Sequence, residues 1–346
     1  MLKRIYGQFP SFARPDHPVM RYLLLREGRR AGRGTTFLRF LGLMIILGLL
    51  GAVGYLISTE FGRSTLSPIN PHENIYLILY WPLVILQVIL HVLAFNGTVG
   101  VVAAEKRLGT WDTLKITTEG ALLTIKARWA TTFYRLWMLL CVLTAARVIF
   151  IGVALINISA YQGGYIDNMI SGTIPLGAES LGKDSGLLGA ILILAMMMTG
   201  TVLAPFTAVA FDAALGALVG TFARGKIGGV LGQIGVILLR LMLTAWALWI
   251  GSLALGLSPF IGQGAMTVPG LTEPQVMNWM GALLGIAEGD MGLTLLHLPH
   301  VQRLWADIPY GVFAGVAFLG YILLQAGLAN VMVWWAGRRV LRAERL

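Results

Sequence analysis

Charge is scarce in this chain of 346 residues. Asp, Glu, Lys and Arg make up 12% of it, against roughly 25% in an ordinary soluble domain, while 57% is hydrophobic; that balance argues against a water-soluble fold. Cysteine is almost absent. The single Cys141 falls inside an apolar run, which rules out an intrachain disulfide framework and leaves it to pack as a small apolar group. Acidic residues are fewer than basic ones, 16 against 26, and neither a carboxylate pair nor a Ser-His-Asp order stands out to suggest hydrolysis.

Two further motifs fail on inspection. Gly177 to Asp184 reads G-x-x-x-x-G-K but places Asp184 where a phosphate-binding loop needs Ser or Thr for magnesium, and it follows no strand. No ATPase site and no cofactor are therefore expected in this chain. Glu288, Asp290, His297 and His300 suggest a metal cluster, yet H-x-x-H with Pro299 inside is not the i, i+4 helical pair of a zinc hydrolase. No metal is expected either.

Long apolar runs are what the chain has in abundance. About 20 residues of helix cross a bilayer, and six stretches qualify: Leu38 to Ser58, Ile75 to Ala104, Tyr134 to Ile158, Leu187 to Phe222, Val230 to Leu257 and Tyr310 to Ala336. The expected fold is an all-α, multi-pass integral membrane protein with six transmembrane helices. The first run begins after some three dozen polar and basic residues without a small-residue cleavage site, so a removable signal peptide is not expected.

Net charge is +10, and its distribution says more than its size. Counting Arg39 and Arg135 at the span ends, 21 of the 26 Lys and Arg fall to segments on the side of the two chain ends. The opposite segments hold Arg63, Lys183 and Arg303, and Arg147 and Arg240 lie within spans. This asymmetry follows the positive-inside rule and predicts both ends in the cytoplasm. Because the charges track membrane sides rather than forming one interleaved patch, no nucleic-acid partner is expected.

Residues 1–37 are expected to hold a cytoplasmic amphipathic interface helix and linker, and 38–346 the six-span domain. In "HPVMRYLLLREGRR", Pro18 can open a helix, Val19, Leu23, Leu24 and Leu25 form an apolar stripe, and Arg21, Arg26, Arg29 and Arg30 supply the polar side. Such a helix lies on the inner leaflet, in contact with membrane lipids. Residues 258–309 are apolar but broken by turn residues, which suggests a re-entrant or interfacial helical hairpin in the outer leaflet. Trp81-Pro82 predicts a kink in the second span. His91 in the same span is expected to bond to a neighbouring helix rather than to a metal.

Arg147, Asp212 and Arg240 are the ionisable residues placed inside spans, where each needs a partner or water. Asp212 and Arg240 each stand fourteen residues from Lys226, about 20 Å along a helix from the turn between spans four and five, so they are candidates for an ion pair across that hairpin. Gly42, Gly48, Gly51 and Gly54, and Gly216 and Gly220, mark faces where helices can approach closely, within the chain or between two copies.

Residues 105–133 form a charged cytoplasmic segment after the second span. Leu108, Trp111 and Leu114 recur at three-residue spacing, which sets an aromatic anchor on one side of a short helix with Lys106, Arg107 and Asp112 beside it, as in a protein contact. The run "EKRLGTWDTLKITTEGALLTIKARW" resembles the permease subunits of exporter-type ABC transporters, the ABC-2 family. Those proteins follow the second span with Glu, basic residues, Gly-Thr, an aromatic or apolar residue, an acidic residue and Leu-Leu. Glu105, Gly109, Thr110, Trp111, Asp112, Leu114 and Lys126 match that pattern; Ile116, Thr117, Thr118 and Ile125 depart from it. The N-terminal "HPVMRYLLLREGRR" is similar to the family's inner-face helix, with His17 in place of Asn.

The resemblance implies a plasma-membrane permease of a prokaryotic cell that pairs with a second permease chain and docks a separate ATPase subunit. It implies that Glu105, Lys106, Arg107, Leu108, Gly109, Thr110, Trp111, Asp112, Leu114 and Lys115 form the ATPase contact. Two alternatives stand beside it. One is a non-transporting scaffold or accessory subunit. The other is an intramembrane enzyme, whose signature would be a His-Asp set converging at one depth; in the sequence His91 and Asp212 stand apart on different spans.

Overall fold

The computed structural model describes residues 10–27, 33–60, 71–100, 120–160, 183–222, 230–239, 241–242, 245 and 308–342. Among them all regular structure is helical: α1 (Pro18–Glu27), α2 (Arg33–Glu60), α3 (Pro71–Val99), α4 (Gly120–Ala160), α5 (Lys183–Phe222) and α6 (Ile308–Arg342), with a single 3-10 turn at Ser11–Ala13. A further helical stretch covers Val230–Leu239. Four helices are long and apolar enough to cross a membrane, over Pro82–Val99, Leu122–Val153, Ile191–Phe222 and Gly315–Val340. The first and fifth expected runs contribute shorter apolar helix, Met44–Leu56 and Val230–Leu239. The hairpin expected at 258–309 and the motifs at Gly177–Asp184 and His297/His300 lie outside the described residues.

The bundle is inside out in its chemistry. Gln87, His91, Arg147, Thr201, Asp212 and Gln325 are buried, while Leu49, Trp137, Ile149, Leu192, Leu323 and Leu324 are exposed. In water that exchange would be ruinous; in a bilayer the apolar chains meet lipid and the polar ones meet each other. Cys141 also faces outward rather than packing inside as expected.

α5 is the central helix, packed along α6 and α3, with α4 closing the group and α2 laid against α3. Missing side chains make these crossings close. A Cβ at Gly216 would lie 2.4 Å from the Phe95 carbonyl oxygen, and one at Gly220 2.3 Å from that of Val99, so the G-x-x-x-G of α5 is a notch for α3 within the chain. At the α5 and α6 seam the buried Phe318 ring sits on Gly200, and Met196 fits against Gly315. Gly42, Gly48 and Gly51 face open space, while Gly54 lies against Ile78 and Pro82.

That last contact has a backbone cause. α3 runs through Pro82, which has no N–H to give the carbonyl of Ile78 one turn earlier. The bare Cα of Gly54 lets α2 come up to that carbonyl.

α4 begins at Gly120, ahead of the span start expected at Tyr134, and residues 120–133 are the first turns of that helix. Lys126 and Arg128 made this turn look aqueous in sequence. Instead Arg128 is buried, its carbonyl accepts from the hydroxyls of Thr131 (2.7 Å) and Thr132 (3.3 Å), and Lys126 lies over the Phe12 ring. Trp129 Nε1 donates to the Ala210 carbonyl of α5 at 2.8 Å.

α1 docks on this first part of α4. Met20 and Leu23 are buried against Ala127 and Ala130, with Phe12, Val19 and Tyr134 around them. Tyr134 Oη donates to the Ala13 carbonyl at 2.8 Å. Of the apolar stripe expected to enter the leaflet, Val19 and Leu23 are thus taken up by protein, with Met20 between them.

Candidate functional site

Four side chains from three helices meet in the interior. α3 supplies Gln87 and His91, one turn apart, α4 supplies Arg147 and α5 supplies Asp212; all are buried. Arg147 Nη2 donates to Gln87 Oε1 at 3.0 Å, Gln87 Nε2 faces His91 Nε2 at 3.1 Å, and His91 Nδ1 bonds to Asp212 Oδ2. Arg147 Nη1 also donates to the backbone carbonyl of Thr201 on α5 at 3.0 Å.

The last bond follows from the sequence of α5. Pro205 lies within that helix and has no N–H for the carbonyl of Thr201, four residues earlier. A buried carbonyl without a donor is costly in a membrane, and the guanidinium supplies the donor. Arg147 therefore ties α4 to α5 through a proline-freed carbonyl and to α3 through Gln87.

Hydrogen-bond polarity fixes the protons along the chain of groups. A guanidinium can only donate, so the oxygen of the Gln87 amide faces Arg147 and its NH2 faces His91. His91 Nε2 must then accept, which leaves the ring proton on Nδ1, donated to the Asp212 carboxylate. This tautomer is assigned from the network of partners. Nearby, the hydroxyls of Thr144 and Thr201 are buried without a hydrogen-bond partner among the described residues.

Asp212 was expected opposite Arg240, which lies outside the described residues; its described partner is His91 on α3. His91 and Asp212 are accordingly not isolated on different spans, as the sequence suggested, but in contact. Both ring nitrogens of His91 are engaged by Gln87 and Asp212, and among the described residues no hydroxyl or thiol bonds to the ring. The arrangement points the ring proton of His91 at the Asp212 carboxylate. Among the described residues no three His, Cys, Asp or Glu side chains are grouped to hold a metal ion.

Of the other expected site residues, Arg21 is exposed on α1, and Arg26 belongs to the same helix. Arg29, Arg30 and the whole segment from Glu105 to Lys115 lie outside the described residues. Gln87 was missed because a neutral amide in an apolar run raises no alarm; its place one helical turn before His91 is the signal that would have found it.

Basic side chains gather at one end of the bundle. There α1 meets the start of α4, and the last turns of α5 and α6 pack on Ile125. Arg339 stacks on the Phe222 ring at 3.4 Å and Arg338 on Trp334 at 3.9 Å, typical cation-to-aromatic contacts. Compared with protein-family models, curated proteins and solved structures, the chain matches none.

Proposed function

We infer that this chain is the membrane-spanning permease subunit of an ABC-2-type exporter. In this reading six spans place both ends in the cytoplasm, a second permease chain completes the pathway, and a separate ATPase subunit grips the segment from Glu105 to Lys115. The observation that carries it is the docking of α1 on the first turns of α4. α3 ends at Val99 and α4 starts at Gly120, so the two helix ends that flank the charged segment in sequence lie at the end of the bundle where α1 is seated. There an ATPase would meet a firm base, and a push on a short lever joined to α3 and α4 would be felt along both helices. The basic rim at the same end supports its cytoplasmic assignment.

The test is purification from the native membrane in mild detergent, with ATP hydrolysis and vesicle transport measured on the complex. A soluble nucleotide-binding subunit should accompany the chain. Trp111→Ala should leave the protein inserted and folded but release that subunit or lower coupled ATP hydrolysis at least tenfold, as loss of a buried aromatic anchor does. A chain that purifies without any nucleotide-binding protein, or a Trp111→Ala variant with full ATP-driven transport, would overturn the reading.

A further inference from the structure

We propose that His91 and Asp212 form a proton-binding site inside the bundle, and that Gln87 converts the arrival of a proton into release of the tie between α3 and α4 at Arg147. The inference concerns the ligand of a buried site and stands independently of the permease reading.

The Nε2 lone pair of His91 is one place where a proton can enter the network. With Nδ1–H donated to Asp212, His91 Nε2 is a lone pair aimed at the Gln87 amide. A proton that binds there turns Nε2 into a donor, and two donors then face each other across 3.1 Å. Gln87 has two escapes. It can turn its oxygen to His91, which points its NH2 at the guanidinium of Arg147, a second clash of donors. Or it can swing away from both. Either way the bond from Arg147 Nη2 to Gln87 Oε1 is lost, and it is the described side-chain tie between α3 and α4 at this depth. A neutral amide between a permanent donor and a switchable one thus acts as a polarity relay, because satisfying one neighbour dictates what the other must be.

The surroundings make the second state affordable. A protonated His91 remains beside the Asp212 carboxylate, so the new charge forms inside an ion pair rather than alone in low dielectric. Arg147 keeps the proline-freed carbonyl of Thr201, and the hydroxyls of Thr144, one turn before it on α4, and of Thr201 are buried without a hydrogen-bond partner among the described residues. Facing the pair from the packed helices are Asp212 on α5 and, through Gln87, Arg147 on α4. Arg135 lies further along α4 near Gly97. α6 contributes the neutral Gln325, bonded to Thr207 at 2.9 Å, and the apolar stretch of α2, Met44–Leu56, carries Tyr55 as its one ionisable side chain.

The test has two readouts on the full chain in lipid vesicles. With histidine labelled by nitrogen-15, the five histidines are followed by solid-state NMR from about pH 8.5 to about pH 4.5, the range in which imidazole changes charge. One should begin as the Nδ1–H tautomer and become imidazolium on acidification, and His91→Gln should remove that signal. For the coupling, spin labels replace Ile89 on α3 and Val148 on α4, both exposed, in a Cys141→Ala background. Their separation should change with pH in the otherwise native chain and be insensitive to pH in Gln87→Leu, where the tie is already gone. An unprotonated His91 throughout the range, an Nε2–H tautomer at high pH, or protonation without any change in the label distance would each overturn the proposal. The label distance in the otherwise native chain needs no substitution in the network, so a variant that fails to fold does not shield the idea.

Discussion

Replacing Gly216 or Gly220 by Ala tests whether the α3 and α5 crossing organises the interior. A Cβ at Gly216 would stand 2.4 Å from both the Phe95 carbonyl oxygen and Thr98 Oγ1, and one at Gly220 2.3 Å from the Val99 carbonyl oxygen, where ordinary contact starts at 3.4 Å. Two of the three obstacles are backbone, so no rotamer change relieves them; the helices must part by about 1 Å, and overpacking of this kind costs about 1–3 kcal/mol. The bond from Thr98 Oγ1 to the Ala213 carbonyl, now 2.7 Å, would stretch out of range, losing about 0.6 kcal/mol more in a membrane. A total of about 1.6–3.6 kcal/mol is roughly 15- to 450-fold in the unfolding equilibrium. Because His91 and Asp212 sit one turn before Phe95 and Gly216 on the same two helices, the pair should loosen as well. The assay is reversible unfolding by steric trapping in bicelles, with Gly48→Ala and Gly51→Ala as controls, since nothing lies within 4 Å of either. If Gly216→Ala unfolds no more readily than Gly51→Ala, the close crossing is not what holds these helices together.

Arg147→Met should destabilise the chain by about 1–3 kcal/mol for each buried acceptor it leaves without that donor, the Thr201 carbonyl and the Gln87 amide oxygen. In a Pro205→Ala background that loss should shrink by about 1 kcal/mol, because the restored N–H takes over the Thr201 carbonyl; equal losses in both backgrounds would sever Arg147 from the proline. A double-mutant cycle of His91→Ala with Asp212→Ala should give a coupling of about 0.6–1.7 kcal/mol, the range found between membrane helices, and a value near zero would mean the two side chains do not support each other. Tyr134→Phe removes the bond to the Ala13 carbonyl and should speed limited proteolysis at Arg14 and Arg21 severalfold without changing the unfolding of the rest; unchanged cleavage would show that α1 is held by Met20 and Leu23 alone.

The helical class was legible because apolar runs of span length admit little else. Which face each run turns inward was not. These helices are apolar nearly all round, so periodicity carries little signal and the buried side is chosen by a few exceptions: Gly216, Gly220, Gly200, Gln87, His91 and Asp212. The glycines could be read as close-approach positions, but whether they met another helix or another copy was a tertiary matter, decided by Phe95 and Val99. Arg147 and Asp212 were legible as needing partners for the same reason that charge is rare in lipid. Their partners were not, since the sequence offers Asp212 an opposite charge at Arg240, whereas a neutral amide and an imidazole on α3 meet Arg147 and Asp212. Residues 120–133 are in one helix with the third run, where Lys126 lies over Phe12 and Arg128 is buried.

Proline explains why the polar groups gather where they do. Within a spanning helix each proline frees one carbonyl, and the chain answers the two cases differently. At Pro82 the Ile78 carbonyl is covered by the backbone of α2 at Gly54, which fixes a crossing but adds no charge. At Pro205 the Thr201 carbonyl is met by a guanidinium, and a buried cation then requires an anion in reach. Asp212 supplies it through Gln87 and His91, because Arg147 is already committed to α5 at Thr201 and its second arm reaches α3. The relay is therefore a consequence of answering a backbone vacancy with a charge rather than with packing, and changing Pro205 should alter the bond between Arg147 and Gln87 by freeing the guanidinium from Thr201.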